Sequence, residues 1–163
     1  MMKKLTATLG LSVAIFSAFS VHAKTKEIDW IDLVPVQEQA MIKEASQPFL
    51  AEHSWDMPEQ NKLGSVRNEL DGQRVKIPGF IIPLEGDDKI ASEFLLVPYY
   101  GACIHVPPPP TNQIIYVNSP KDVSAQGLWD TVYLTGTLRT KDTSTDVADT
   151  GYQMIDIEIT PYQ

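Results

Sequence analysis

The stretch "QRVKIPGFIIPL", residues 73–84, decides the fold of this chain of 163 residues. Its valine, isoleucine and phenylalanine residues are typical of a β-strand. Proline cannot donate a backbone hydrogen bond to a neighbouring strand, and glycine has no side chain to pack, so Pro78–Gly79 marks a bulge or a sharp bend. We therefore predict a strand that bends near its middle.

Four more segments are predicted to be strands: "EFLLVPYY" (93–100), "NQIIYVN" (112–118), "DTVYLTGTLRT" (130–140) and "YQMIDIEIT" (152–160). In residues 130–140, apolar residues and glycine alternate with threonine and tyrosine, and this period of two is typical of a half-buried strand. The last segment also alternates, with Met154, Asp156 and Glu158 on one face and Ile155, Ile157 and Ile159 on the other. The polar stretch 140–151 is predicted to be the hairpin loop between these two strands.

Five such strands, with a bend in the first and a helix before them, indicate a mainly β protein. We predict a small five-stranded barrel that resembles the oligonucleotide/oligosaccharide-binding (OB) fold. A β-sandwich is the alternative architecture. The barrel is expected to span residues 69–163 and to form one domain with residues 24–68, because a chain of this length supports one core.

Residues 24–68 are predicted to form a docking segment followed by a helix. Trp30, Ile31 and Leu33 are the expected anchors of the docking segment. Pro35 is expected near the start of the helix, where a missing N–H costs little. The apolar residues that recur near helical spacing, and so define the predicted buried face, are Val36, Ala40, Met41, Ala45 and Phe49.

The first 23 residues have the pattern of a secretory signal peptide. Lys3 and Lys4 precede a short apolar run, and "VHA" at 21–23 ends in a small residue. The run is too short, and too rich in serine, alanine and glycine, to predict a transmembrane span. Cleavage after Ala23 would leave Lys24–Gln163 as a soluble periplasmic protein that is not embedded in the membrane.

The charge of the chain argues against nucleic acid as a partner. Without Lys3 and Lys4, 11 basic residues stand against 21 acidic ones, a net charge of −10. Such a surface repels the phosphate backbone of DNA or RNA.

Cys103 is the only cysteine, and His105 follows it two positions later. Residues i and i+2 of a strand point to the same face, so the thiolate and the imidazole could converge on one ion. These two ligand types suit zinc, or alternatively copper. Two ligands do not make a tight zinc site, so a third would come from His53 or from a second chain in a homodimer. The pair alone is a weak signal.

Other interpretations of this region stay open. Cys103 could be a small apolar residue that fills the barrel wall, a reactive thiol, or half of a disulfide between two chains. The four prolines after His105 could be a rigid connector that packs on the protein's own tyrosines, or an arm that docks on a partner protein. The residues of that partner-binding arm would be Pro107, Pro108, Pro109, Pro110, Asn112, Tyr99 and Tyr100.

"GACIHVPPPPTNQ", residues 101–113, resembles the signature of a bacterial family of exported proteins of unknown function. "DWIDLVP" (29–35), "LDGQRVKIPGFIIPLE" (70–85), "VYLTGTL" and "GYQMIDIEI" are similar to other blocks of that family, so the resemblance covers nearly the whole chain after residue 23. It implies an association with ABC-type ATPase and permease genes in clusters linked to zinc limitation. The resemblance thus favours a non-catalytic periplasmic protein that handles a transition metal beside an ABC-type transporter, with Cys103 and His105 as ligands. The alternatives are a metal-free interaction module that contacts a permease or another periplasmic protein, and a thiol-active protein that uses Cys103.

Overall fold

The structure is a computed structural model that describes residues 24–45, 60, 64–86, 90–103, 108–124 and 131–162. Six strands and one α-helix lie in these ranges. The strands are β1 (Lys26–Glu27), β2 (Arg74–Gly86), β3 (Ile90–Val97), β4 (Ile115–Ser124), β5 (Val132–Ser144) and β6 (Asp149–Pro161). The helix is α1 (Gln39–Ala45), and short 3₁₀ turns cover Trp30–Leu33, Asn68–Leu70 and Thr111–Gln113.

Five of the strands close into a barrel. Their order is β2-β3-β4-β6-β5, and β5 pairs again with β2 to complete the circle. All these pairs are antiparallel except β4–β6, which is parallel, and β1 adds a short parallel strand to β2. This order is that of an OB-like barrel and confirms the predicted architecture. The alternative of two stacked sheets is wrong, because β2 pairs with both of its neighbours and leaves a single closed sheet.

β2 changes partner at the predicted bend. Arg74 to Gly79 pair with β5, and Phe80 onwards pairs with β3. A Cβ at Gly79 would lie 2.8 Å from the carbonyl oxygen of Val97 and 3.0 Å from a ring carbon of Trp30, so only glycine fits this crossing. Pro78–Gly79 is not a bulge, because residues 74–79 keep a regular register with β5. The register shifts of β2 lie further along the strand, between Pro83 and Gly86.

The β5–β6 hairpin is longer than the sequence predicts. The predicted loop 140–151 is wrong in extent, because the strands continue to Ser144 and resume at Asp149. Thr143 pairs with Thr150, and β-branched threonines fit an extended ladder. The hydroxyl of Thr145 closes the short turn, since it accepts from the N–H of Ala148 (3.0 Å) and donates to the carbonyl of the same residue (2.8 Å).

The faces of β6 are also different from the prediction. Met154 is buried and Ile155 is 36% exposed, yet Ile157 and Ile159 pack against the same core as Met154. Asp156 has a φ of 52° and lies where the register with β5 shifts. This bulge inserts one residue and reverses which side chains face the barrel interior, so the simple alternation over 152–160 is wrong.

Two apolar clusters hold the structure together. The main cluster fills the barrel and includes Trp30 and Leu33 from the segment before it. That segment is fixed by the indole N–H of Trp30, which donates to the carbonyl of Pro78 at 2.7 Å. The second cluster, which we call the outer cluster, consists of Ile82, Leu95, Val97, Ala102, Cys103, Ile114 and Ala148. Its strand residues have the opposite parity to the barrel core, so it covers the outside of β2, β3 and β4.

The predicted helix begins later than expected and buries another residue. It begins at Gln39, while Val36 and Met41 are exposed and Ile42 is buried. The predicted buried face is therefore wrong for Val36, Ala40 and Met41. Residues 36–38 form a turn ahead of the helix, and within the helix it is Ile42 that packs inward. Ile31 is also 36% exposed, and Phe49 lies outside the described residues. None of the helices in the described ranges is long and apolar enough to cross a membrane.

Candidate functional site

The turn that follows β3 carries Cys103 in an uncommon backbone conformation. Gly101 has a φ of 77° and Cys103 has a φ of 64°. The left-handed region costs a residue with a Cβ roughly 1–2 kcal/mol, and glycine or asparagine is the usual residue there. Cysteine has no backbone preference that would explain its presence at this position. Cys103 is therefore unusual in two respects: it is the only cysteine of the chain, and its backbone is left-handed.

The side chain of Cys103 is buried in the outer cluster. It is 9% exposed, and its neighbours in the cluster include Ile82, Leu95 and Ile114. Removal of the thiolate from water raises the pKa of the Cys103 thiol to about 12. The thiol is therefore protonated at neutral pH, which disfavours a reactive thiolate in the metal-free protein.

Of the predicted metal ligands, only Cys103 lies in the described structure. Cys103 lies at the end of a described range, whereas His105 and His53 lie outside the described residues. In the described part of the chain, no group of three or more histidine, cysteine, aspartate or glutamate side chains could hold a metal ion. Cys103 as a ligand thus depends on partners beyond these ranges, as the sequence also predicts.

The proline segment is anchored to the barrel. Pro109 and Pro110 are buried, and Pro108 is half-buried. The side-chain amide of Gln60 donates to the carbonyl oxygens of Pro109 (2.9 Å) and Asp149 (2.8 Å), so it joins the segment to the start of β6. Pro107 lies outside the described residues. The described prolines are therefore packed against the barrel and held there by Gln60. Their role in binding a partner stays a prediction.

The other residues of the predicted partner-binding arm lie in different environments. Tyr100 is half-exposed, and its ring meets Phe80 edge-on with centroids 6.1 Å apart. Tyr99 packs on the outer cluster, and its pKa is raised by burial and by the nearby Cys103. Asn112 is fully buried and donates to the carbonyl of Ser65 at 3.0 Å. Of these, Tyr100 offers the largest accessible surface.

Gln60 and Tyr152 are structurally important residues that the sequence does not reveal. Gln60 is one glutamine in a polar stretch without periodicity, and Tyr152 looks like any aromatic residue of a strand. The hydroxyl of Tyr152 donates to the carbonyl of Leu33 and accepts from the N–H of Arg67, both at 2.6 Å. Only the three-dimensional contacts distinguish these residues from their neighbours.

The buried thiol gives stability a pH dependence. Above about pH 9 the unfolded chain loses the Cys103 proton, while the folded protein keeps it up to about pH 12. The unfolded state then binds fewer protons, so we expect stability to fall as the pH rises through this window. Urea unfolding of the wild type and of Cys103→Ala, at about pH 8 and about pH 10.5, measures the effect. The wild type should lose more stability than the variant, and equal losses would contradict a buried neutral thiol.

Comparisons with known proteins agree with this architecture. The chain is similar to a DUF3299 family protein from Pseudomonas aeruginosa PAO1 whose crystal structure has been solved, with 35% sequence identity and a TM-score of 0.66. The match covers 86% of this chain and 97% of that one. No curated protein matches. A family model described as "Protein of unknown function (DUF3299)" matches residues 30–161, and the chain therefore belongs to the DUF3299 family.

Proposed function

We propose that this protein is a non-catalytic periplasmic binding protein that handles zinc, or alternatively copper, beside an ABC-type transporter. The observation that carries the proposal is the left-handed backbone of Cys103. Sparsely populated backbone conformations cluster at ligand clamps and other functional sites. Glycine would relieve the backbone cost and alanine would fill a similar space, so the thiol itself is the simplest reason for cysteine at this position.

The chemistry of the site supports a metal rather than a free thiolate. A metal ion stabilises the thiolate that burial disfavours, so binding releases the proton of Cys103. His105 follows two residues later and supplies the second ligand in this proposal, with the third from His53 or from a second chain. Affinity should then fall as the pH falls, because the proton competes with the metal for both side chains.

Zinc titration tests this proposal. We expect the purified protein to bind zinc, and Cys103→Ser and His105→Ala to bind it at least about tenfold more weakly. Cys103→Gly is the matched control for folding, because it removes the thiol while relieving the left-handed backbone. It should stay folded and lose zinc. Unchanged affinity and stoichiometry in these variants would refute the assignment of Cys103 and His105.

The metal-free interaction module remains the second candidate, and one feature favours it. Tyr100 is 53% exposed and extends the apolar surface beside Phe80 on the outside of the barrel. A photo-crosslinker at position 100 should then join the protein to a transporter permease in cells, without any dependence on zinc. Crosslinking that disappears in Cys103→Ser or after zinc chelation would instead favour the metal proposal.

A further inference from the structure

Two tyrosine rings lie side by side on the outside of the barrel, where β5 begins and β6 ends. Tyr133 is the second residue of β5, and its neighbours Val132 and Leu134 are buried, so its ring faces outward. The ring of Tyr162 packs against it, with centroids 4.9 Å apart and planes tilted by 31°. Tyr162 is 52% exposed. The pair therefore presents an aromatic surface to solvent.

A lysine and a glutamate border the two rings. The ammonium group of Lys76, on β2, lies 3.7 Å from the centroid of the Tyr133 ring, which is close enough for a cation–π contact. The carboxylate of Glu27, on β1, lies 3.6 Å from the same ammonium group. Side chains from three strands and from the residue after β6 thus meet in one group, which we call the tyrosine platform: Glu27, Lys76, Tyr133 and Tyr162.

Backbone pairing holds the tyrosine platform in place. The N–H of Tyr162 donates to the carbonyl of Thr131 at 3.2 Å, which attaches the residue after β6 to the start of β5. Tyr133 itself lies between two strands, opposite Pro78 on β2 and Thr160 on β6. Tyrosine has few rotatable bonds, so a ring pair that is already ordered loses little conformational freedom when a ligand binds.

The charges and hydrogen-bonding groups of the platform favour an uncharged, polyhydroxylated ligand. Glu27 balances the charge of Lys76, and the chain as a whole is acidic, so the platform does not attract a phosphate backbone. An exposed aromatic ring can pack on the C–H face of a sugar ring. The ammonium group beside it donates to sugar hydroxyls, the carboxylate accepts from them, and the tyrosine hydroxyls do both. A neutral sugar therefore satisfies every group of the platform.

We propose that the tyrosine platform binds a neutral β-linked glycan, with one sugar ring stacked on Tyr162 and its hydroxyls bonded to Lys76 and Glu27. A β-linked chain of sugar rings is flat and extended and fits the outer face of a sheet, whereas small ligands generally need a concave pocket. One exposed ring pair predicts weak binding, with a Kd on the order of 1 mM. The platform does not include Cys103 and does not rest on the proposed zinc function.

NMR titration of the isotope-labelled protein with cellotetraose, a neutral β-linked glucan, tests the proposal. We expect saturable changes in amide chemical shift at and around Lys76, Tyr133 and Tyr162. Because the ligand is uncharged, the Kd should be the same at low and high sodium chloride. Maltotetraose, whose α-linkages coil the chain, is the control and should bind at least about fivefold more weakly. No shift change at these amides, equal binding of maltotetraose, or binding that weakens with salt would overturn the proposal.

Variants of Tyr162 distinguish a binding role from a purely structural one, in which the ring pair only fastens the chain end to β5. Tyr162→Ala should weaken cellotetraose binding at least about tenfold, whereas Tyr162→Phe keeps the ring and should keep most of the affinity. Ile155→Ala, which shortens another exposed apolar side chain of β6, is the matched control and should leave binding unchanged. A Tyr162→Ala variant that is less stable but binds like the wild type would overturn the proposal in favour of the structural role.

Lys76→Met tests the hydrogen bonds separately from the rings. Methionine keeps an unbranched apolar side chain beside Tyr133 but cannot donate a hydrogen bond, so cellotetraose should bind at least about threefold more weakly. Lys141→Met removes the same charge from the other end of β5 and should leave binding unchanged. Equal losses in both variants would show a general effect of net charge and would overturn the assignment of Lys76.

Discussion

Replacement of Tyr152 by alanine is expected to lower the free energy of unfolding by about 3–5 kcal/mol. Tyr152 is fully buried in the main core cluster, so the truncation removes a large aromatic side chain and leaves a cavity. It also removes the hydroxyl that bonds to both Leu33 and Arg67. Urea unfolding followed by intrinsic fluorescence measures the loss, and the three tryptophans of the chain provide the signal.

Tyr152→Phe separates the hydroxyl from the ring. This variant keeps the packing but leaves the Leu33 carbonyl and the Arg67 N–H without their partner, which should cost about 1–3 kcal/mol. Burial raises the pKa of Tyr152 to about 12, so the hydroxyl stays a donor to Leu33 at all ordinary pH values. A phenylalanine variant as stable as the wild type would contradict the proposed clamp.

The position of these bonds explains why the effect should be large. Leu33 and Arg67 both precede the barrel strands, and Tyr152 lies on β6, the last strand. Trp30 adds a second attachment through its bond to Pro78 on β2. The segment before the barrel is therefore held at two separate strands, and its apolar residues complete the barrel core.

Local alternation was sufficient to predict much of the barrel. Val132, Leu134 and Leu138 recur at period two, and all three are buried as expected. The bend at Pro78–Gly79 was also visible, because neither residue suits the middle of a regular strand. These signals depend only on neighbouring residues, so contacts with distant parts of the chain do not change the structure that they predict.

The errors arise where tertiary contacts override local pattern. The bulge at Asp156 reverses the faces of β6, and nothing in "YQMIDIEIT" distinguishes Asp156 from another exposed residue. The threonines of 140–151 look like a loop, yet pairing across the hairpin extends both strands. Val36 is likewise exposed because it lies in a turn before α1, and Ala40 and Met41 are exposed because the helix presents Ile42 to the core.

The sequence reveals the candidate site only in part. Cys103 is the only cysteine, so composition alone identifies it, but its left-handed backbone requires coordinates.

Gly136 gives the second large effect. Gly136→Val is expected to destabilise the protein by about 3 kcal/mol, because it overpacks the barrel interior. A Cβ at this position would lie 2.7 Å from Cγ of Met154 and 2.8 Å from the carbonyl oxygen of Ile155. The side chain of Met154 can move, but the backbone of Ile155 is fixed by the bulge that follows it in β6.

Gly136→Ala tests the same contact with a smaller group. Replacement of glycine in a strand normally stabilises a protein slightly, because the unfolded chain loses entropy. Here we expect a net loss of about 1–2 kcal/mol, since the clash with the Ile155 carbonyl outweighs that gain. Thr137→Val, at the neighbouring half-buried position, is the control and should change stability by less than about 0.5 kcal/mol. An alanine variant more stable than the wild type would show that β6 can shift, and that the bulge at Asp156 is not fixed by close contact with β5.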